Sequence, residues 1–518
     1  MRAEIKSAET VSAPVPHCNQ TEGQCFCAQP ALNVRRTRQR GTVITLSLAA
    51  CLIGTSAQAQ TVAASNSQSD SSDKIAKTRT QQKADKAKKK DNQYQKTVVA
   101  NQKADDPFAK FNNLTEKGME VGIPGPADTV TQDIGGVRSA LASVGVGYVA
   151  WTQNTFVDNV LPNAAKSTIA NQLYSGQNPT FYTSNYMMVT YDLSRYGIPD
   201  GQVIVGTERQ WATWNPVLPD RWGINEIAYY QTFFDRKLEL KVGYLRNSNE
   251  FGVSLASANA GANVFGPSGS ILYQGGMSSN QAPTPAINLK LNVDGNWYDK
   301  ISFQRAISPD GVATYINQNP TGLDWRTPNA GLLVLNEFGY QGKAAPGSPQ
   351  TVFRAGAGFN NSSYTNLEYP KQPRADENGF YYLTFDQQLW QSNVRSSASH
   401  GIYGGFSVMY APPDLNTVSQ YYEVRLYSKG LFESRPDDQI SLVVTDTVWS
   451  NFAVAAAAAQ GKLVHSDSKG ISATYSAHLA PGIYTSVGLS YINNPTAITY
   501  TPPIGHALNF SVTTSIFF

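Results

Sequence analysis

Beyond residue 51 the chain has no cysteine, since Cys18, Cys25, Cys27 and Cys51 are all that 518 residues contain. That excludes a disulfide framework and a cysteine-ligated metal centre from most of the molecule. His17 does sit beside the first three cysteines, but their spacing fits no common zinc finger. No metal or cofactor is expected. Charge is scarce as well: Asp, Glu, Lys and Arg make up 15% of the residues, where a soluble protein carries about 25%. No apolar run reaches about 18 residues, which excludes membrane-spanning helices. Histidine is thin. Past residue 60 only His400, His465, His478 and His506 remain, and none belongs to a recognisable nucleophile motif of the kind a Ser/His/Asp hydrolase needs. An enzyme is not expected.

What the chain does have is aromatic residues, 11% with 27 Tyr, at a mean hydropathy of −0.32. Low charge, many tyrosines and no spanning helix suit a transmembrane β-barrel, apolar outside and wet within. Residues 1–59 read as a signal peptide with a long n-region. Arg35, Arg36, Arg38 and Arg40 precede an apolar stretch from Thr42 to Gly54, and Ala57-Gln58-Ala59 forms a small-x-small cleavage site. Two other readings stay open: Leu48-Ala49-Ala50-Cys51 has the form of a lipoprotein box that would lipidate Cys51, and the arginine pair ending at Arg36 resembles a twin-arginine signal. Residues 60–106 form a Lys/Gln/Ala-rich periplasmic tail with few apolar residues, read as solvated and disordered or partly helical. A lead-in segment follows at 107–142 and the barrel at 143–518. Residues 107–518 hold 25 Lys and Arg against 29 Asp and Glu, so the basic balance of the whole chain belongs to the leader and tail.

From about residue 143 apolar and polar side chains alternate with the two-residue period of a strand. Ile471, Ala473, Tyr475, Ala477 and Leu479 interleave with Ser472, Thr474, Ser476 and His478. Leu238, Leu240, Val242 and Tyr244 interleave with Lys237, Glu239, Lys241 and Gly243, and Ile287, Leu289, Leu291 and Val293 with Asn288, Lys290, Asn292 and Asp294. About sixteen such segments can be counted, most of them long enough for a tilted strand to cross a bilayer. Short turns such as Phe234-Asp235-Arg236 and Ala480-Pro481-Gly482 trade places with long Gly/Ser/Asn/Pro-rich loops at 247–283 and 308–329, the asymmetry of a transmembrane barrel. The fold class is therefore all-β, an antiparallel transmembrane barrel with a polar N-terminal extension.

The last segment is the clearest. Leu508, Phe510, Val512, Thr514, Ile516 and Phe518 share one face opposite Asn509, Ser511, Thr513 and Ser515. A closing strand that ends in Phe518 resembles the signal read by barrel-assembly machinery.

Four stretches resemble the carbohydrate-selective porins of the OprB family. They are Asp133-Ile134-Gly135-Gly136-Val137-Arg138 with Leu141 and Gly145; Glu226 and Tyr230 to Asp235 with Leu240 to Gly243; Gly430 to Asp438; and Leu479 to Tyr484 with Tyr491, Ile492 and Pro495. The resemblance runs in order over about 130–518. Ile134 stands where the family usually has an aromatic, and the Lys-rich tail is an addition. The resemblance implies a sixteen-stranded channel passing sugars down their gradient, with arginines and glutamates at a constriction. By family position Arg138, Arg209 and Glu226 are the constriction candidates. Arg209 also shares a face with Val203, Val205 and Trp211, which leaves its direction open. Lys237, Glu239, Lys241, Arg354, Glu423 and Arg425 are second-tier pore-lining residues; each of the nine could equally be a structural ion-pair partner on a solvated wall. Trp211, Trp214 and Trp222 read as interfacial girdle, with a sugar-stacking surface as the alternative.

A selective sugar pore must replace part of the solute's hydration without holding it. Arg and Glu supply donors and acceptors, and aromatic rings supply flat apolar surface. The expected partners are small sugars, outer-membrane lipid, assembly machinery at Phe518 and, through the 61–106 tail, peptidoglycan; nucleic acid is not expected. A general diffusion porin without sugar preference and a structural barrel tethering the envelope are the alternatives.

Overall fold

The computed structural model describes residues 107–518 apart from 165, 169–170, 215–219, 257–269, 294, 393–396 and 501–504. The signal-peptide and tail assignments at 1–59 and 60–106 lie outside the described residues. Sixteen strands form the wall: β1 (Val146–Asn159), β2 (Thr180–Asp192), β3 (Gln202–Ala212), β4 (Trp222–Phe233), β5 (Leu238–Leu245), β6 (Thr284–Asn292), β7 (Trp297–Arg305) and β8 (Leu332–Gly342) make the first half. The second half is β9 (Thr351–Asn360), β10 (Asn378–Gln391), β11 (Gly401–Tyr410), β12 (Val418–Lys429), β13 (Gln439–Trp449), β14 (Asp467–Ala480), β15 (Ile483–Asn493) and β16 (His506–Phe517). Each pairs antiparallel with its sequence neighbours, and β1 pairs with β16 to close the barrel. Among the described residues no helix is long and apolar enough to cross a membrane.

Alternation explains the wall. On β13 Ile440, Leu442 and Val444 are exposed on the outward face while Gln439, Ser441 and Val443 point inward and are buried. Each of the sixteen alternating segments coincides with one strand. β1 departs most, running on to Asn159 where the apolar pattern gives out near 151. Thr152 and Asn154 put polar side chains on the outward face there, so the strand continues without its hydrophobic signal.

One end of the barrel carries short turns. Phe234, Asp235 and Arg236 all have positive φ, an uncommon run for residues with a Cβ. In the β14–β15 turn Gly482 has φ +74°, and a Cβ there would lie 2.6 Å from the Val130 nitrogen and 2.7 Å from the Phe517 oxygen. Only glycine fits. The other end carries the long connections.

The interior is not simply wet. The β5–β6 connection folds inside, and Phe251, Ile271, Leu272 and Met277 pack on the inward-facing Leu333, Leu335, Phe380, Tyr382 and Met409 of β8, β10 and β11. Part of the lead-in segment, residues 115–124, forms a strap that enters the lumen from the short-turn end; its Glu120 N–H donates to the Asn249 carbonyl of the folded-in connection at 3.0 Å.

Candidate functional site

The lumen divides around its circumference. Strands β3 to β12 carry charge, and both inserted segments lie against that side. On β5, Lys241 Nζ sits 2.5 Å from Glu226 of β4, 3.1 Å from Glu250 of the β5–β6 connection and 3.2 Å from Glu116 of the strap. Glu226 points inward in step with Ala228 and Tyr230, and beside it a bulge, where Gly206 pairs with Glu226 and Thr207 with Ile224, leaves Asn225 without an opposite partner on β3 and buries it as well.

One layer on, Glu120 of the strap accepts from Lys290 at 2.9 Å, Lys300 at 3.1 Å, Arg354 at 3.2 Å and Gln341 at 2.5 Å. Burial works against its ionisation, but the field of Lys300, Arg354 and Lys290 outweighs that and holds the carboxyl well below the usual carboxylate range. Behind it Glu337 accepts from Tyr298, Tyr382 and the Gly252 N–H, each at 2.8 Å. Four cations (Lys241, Lys290, Lys300, Arg354) thus interlock with five carboxylates (Glu116, Glu120, Glu226, Glu250, Glu337). A polar cavity of about 230 Å³ remains beside them, lined by Glu120, Tyr230, Lys241, Asn288 and Lys290 among others.

A second charged centre lies on β10 and β12. Arg425 grips Asp386 with two bonds, at 2.8 and 2.9 Å, and donates to Glu423 at 2.7 Å. Asp386 also accepts the Leu255 N–H at 2.9 Å, which ties the β5–β6 connection to the wall. On β3, Glu208 faces Arg246 at 3.5 Å. These are pairs a lumen can keep because each charge has several partners; removing one partner from such a group costs about 3–5 kcal/mol.

The opposite wall is neutral. Inward positions 153–159 of β1, 180–188 of β2, 472–476 of β14, 486–492 of β15 and 507–515 of β16 hold Ser, Thr, Asn, Gln, Gly, Tyr and small apolar residues, none of them charged.

Of the residues singled out from sequence, Glu226, Lys241 and Arg354 meet in the main cluster, and Glu239 adjoins it by accepting from Tyr230 at 2.9 Å and Asn292 at 2.7 Å. Glu423 and Arg425 form the second centre. Three fall elsewhere. Arg209 is a correction: it faces outward with Val203, Val205 and Trp211 and pairs with Asp220 at 2.7 Å, both largely exposed, because strand parity gives the inward positions to Glu208 and Gln210. Lys237 is exposed in the β4–β5 turn, so the strand alternation that pointed it inward begins one residue later. Arg138 lies on a short helix, Val137–Ser143, at the short-turn end of β1. Its guanidinium stacks 4.1 Å from the Tyr148 ring centre and donates to the Tyr148 carbonyl at 2.9 Å, and it lines a cavity together with Glu116 of the strap.

As site residues, sequence reasoning missed Glu116, Glu120, Glu208, Arg246, Glu250, Lys290, Lys300, Glu337 and Asp386. Glu208, Lys290, Lys300, Glu337 and Asp386 stand at inward parity on strands already recognised, so a count of inward charges would have found them. Glu116, Glu120 and Glu250 come from segments without periodicity and carry no local signal. Trp211 and Trp222 are exposed on the outside, as girdle residues would be. Among the described residues no group of three or more His, Cys, Asp or Glu is arranged to hold a metal ion.

Comparison with known proteins agrees with this architecture. The family described as carbohydrate-selective porin, OprB family, matches residues 177–514. The high-pH structure of Pseudomonas putida OprB superposes with a TM-score of 0.63 at 15% identity, covering 76% of this chain and 99% of that one. Its low-pH structure gives 0.46 at 14% identity, covering 76% and 98%. A mutant of the Rh. blastica porin gives 0.40 at 8% identity, covering 72% and 100%. No curated protein matches.

Proposed function

The chain belongs to the carbohydrate-selective porins of the OprB family, and from that premise we propose that it is an outer-membrane channel for passive diffusion of small sugars such as monosaccharides. The observation that carries the reading is a closed barrel, apolar outside, whose lumen is narrowed by ion-paired side chains and inserted segments rather than left open. Because the lumen charges neutralise one another at close range, the field left for a passing ion is small. A neutral solute rich in hydroxyls can meanwhile trade water for wall donors and acceptors. Glu226, Lys241 and Arg354 act in this reading by pinning the strap and the β5–β6 connection, which sets the bore. Arg138 stands at the short-turn mouth, and Arg209 has no part in the pore.

The outward Val, Leu, Ile, Phe and Tyr side chains, with Trp211, Trp222 and Trp297 toward the rims, support a bilayer location. Catalysis is no part of the proposal.

Liposome swelling tests it. Vesicles holding the purified protein should admit glucose faster than amino acids of equal size. Equal rates would favour general diffusion instead, and vesicles as tight as protein-free ones would overturn the channel reading altogether.

A further inference from the structure

The neutral wall is organised as pairs of side chains across adjacent strands. Thr155 of β1 meets Thr513 of β16 with their hydroxyls 3.0 Å apart, Ser472 of β14 donates to Ser490 of β15 at 2.8 Å, and Ser476 meets Ser486 at 2.7 Å. Beside these pairs lies a cavity of about 430 Å³, nearly twice that beside the charged cluster, bounded by β1, β2, β14, β15 and β16. Gly488 keeps its floor low, since a Cβ there would come within 3.1 Å of both Ser511 Oγ and Thr474 Oγ1.

Two buried polar atoms on the cavity wall are unsatisfied. Thr474 Oγ1 and Asn509 Oδ1 have no hydrogen-bond partner, although both residues are more than nine-tenths buried and both line the cavity. A buried polar atom left without a partner is destabilising, and rotation of the Thr474 or Asn509 side chain about its own bonds would turn that atom toward a solute offering one. Tyr182 adds an aromatic face to the same cavity.

We propose that solute passes along this hydroxyl-lined wall of β14, β15, β16, β1 and β2, and that the cavity is a weak subsite for a neutral polyol, with Thr474 and Asn509 as its specificity-determining contacts. The inference rests on the channel reading above and adds where in the lumen the path runs. Three features argue for this side. Hydroxyls both donate and accept, and their protons swing freely, so each wall pair can open toward a sugar hydroxyl and close behind it. The absence of charge keeps each contact weak, as conduction requires. And the charged side is covered: Ser302 on β7, for example, is buried and bonded to Asn247 of the β5–β6 connection at 2.9 Å.

The test uses the full chain with its four native cysteines changed to serine, carrying Ser490→Cys, Ser511→Cys or Ser302→Cys, in planar bilayers and in liposomes. A bulky neutral thiol reagent should react at 490 and 511 and reduce glucose flux by about twofold or more, as expected of a narrowed path; Ser302→Cys should not react. Separately, Thr474→Val should raise the glucose concentration that half-blocks ion current by about 2- to 10-fold, the worth of one hydrogen bond. If the parent channel admits glucose but adducts at 490 and 511 leave the flux unchanged, the path assignment is overturned while the channel reading stands. If the parent admits no glucose, both fall.

Discussion

Lys241 of the wall and Glu116 of the strap are 3.2 Å apart, and the same ammonium holds Glu226 and Glu250. A single side chain therefore ties together two strands, the strap and the β5–β6 connection. Lys241→Met should leave three carboxylates without their common cation and lower stability by about 3–5 kcal/mol. Unfolding in denaturant, followed by the shift in electrophoretic mobility of a heat-modifiable barrel, measures this. A loss under about 1 kcal/mol would mean the cluster is hydrated like a surface pair.

The strap should also respond to acid, and the direction follows from Glu120. Its carboxyl titrates well below the ordinary value in the folded protein, so its stabilising contribution is fully present above about pH 4.3, the unfolded value. It is lost as pH falls through the lower, folded value. The Glu120-dependent step in single-channel conductance should come only in acid below that region, as the strap loosens. Glu120→Gln, which cannot ionise, should remove the acid step. A step in the parent at pH 6 to 7 would assign the transition to another group.

Arg209 and Arg425 offer a matched contrast. Arg209 faces outward in an exposed pair with Asp220, and Arg209→Ala should alter stability by no more than about 0.5 kcal/mol and leave glucose uptake unchanged. Arg425 is fully buried between Asp386 and Glu423. Arg425→Met should cost about 3–5 kcal/mol and free the connection that Asp386 anchors through Leu255. Reversed effects for the two arginines would contradict the strand parity described for β3 and β12.

Gly482 and Gly461 share positive φ, +74° and +75°, but differ in space. An added Cβ meets backbone atoms at Gly482 and nothing within 4 Å at Gly461. Gly482→Ala should destabilise by about 1–3 kcal/mol beyond Gly461→Ala, which carries backbone strain alone. Thermal unfolding of the two variants side by side decides it.

Most of the wall was legible in the sequence because strand period and burial are coupled: wherever one face is apolar and the other polar, the pattern must appear. It faded where the outward face itself turned polar, at Thr152 and Asn154, and that stretch of β1 carries no hydrophobic signal. The site was legible only as far as the same coupling reached. Parity found Glu239, Lys241, Arg354, Glu423 and Arg425, and it had already set Arg209 among Val203, Val205 and Trp211 when family position drew it toward the pore. The strap and the β5–β6 connection obey no period. Glu116 and Glu120 are held by partners more than a hundred residues away, while Glu250 meets Lys241 and Asn288 from a connection with no regular pattern, and nothing local in the sequence encodes such contacts.

The seam between the first and last strands has a kinetic side. Thr155 and Thr513 face each other across 358 positions of chain, so the hoop cannot be completed until its final stave is available. Lengthening a loop is thermodynamically mild, each doubling adding only about 0.6 kcal/mol. The hazard lies in the waiting: until the ring shuts, two long, ungated sheet edges stand ready to recruit any neighbouring chain. A molecule built this way needs an escort for its flanks more than it needs extra adhesion.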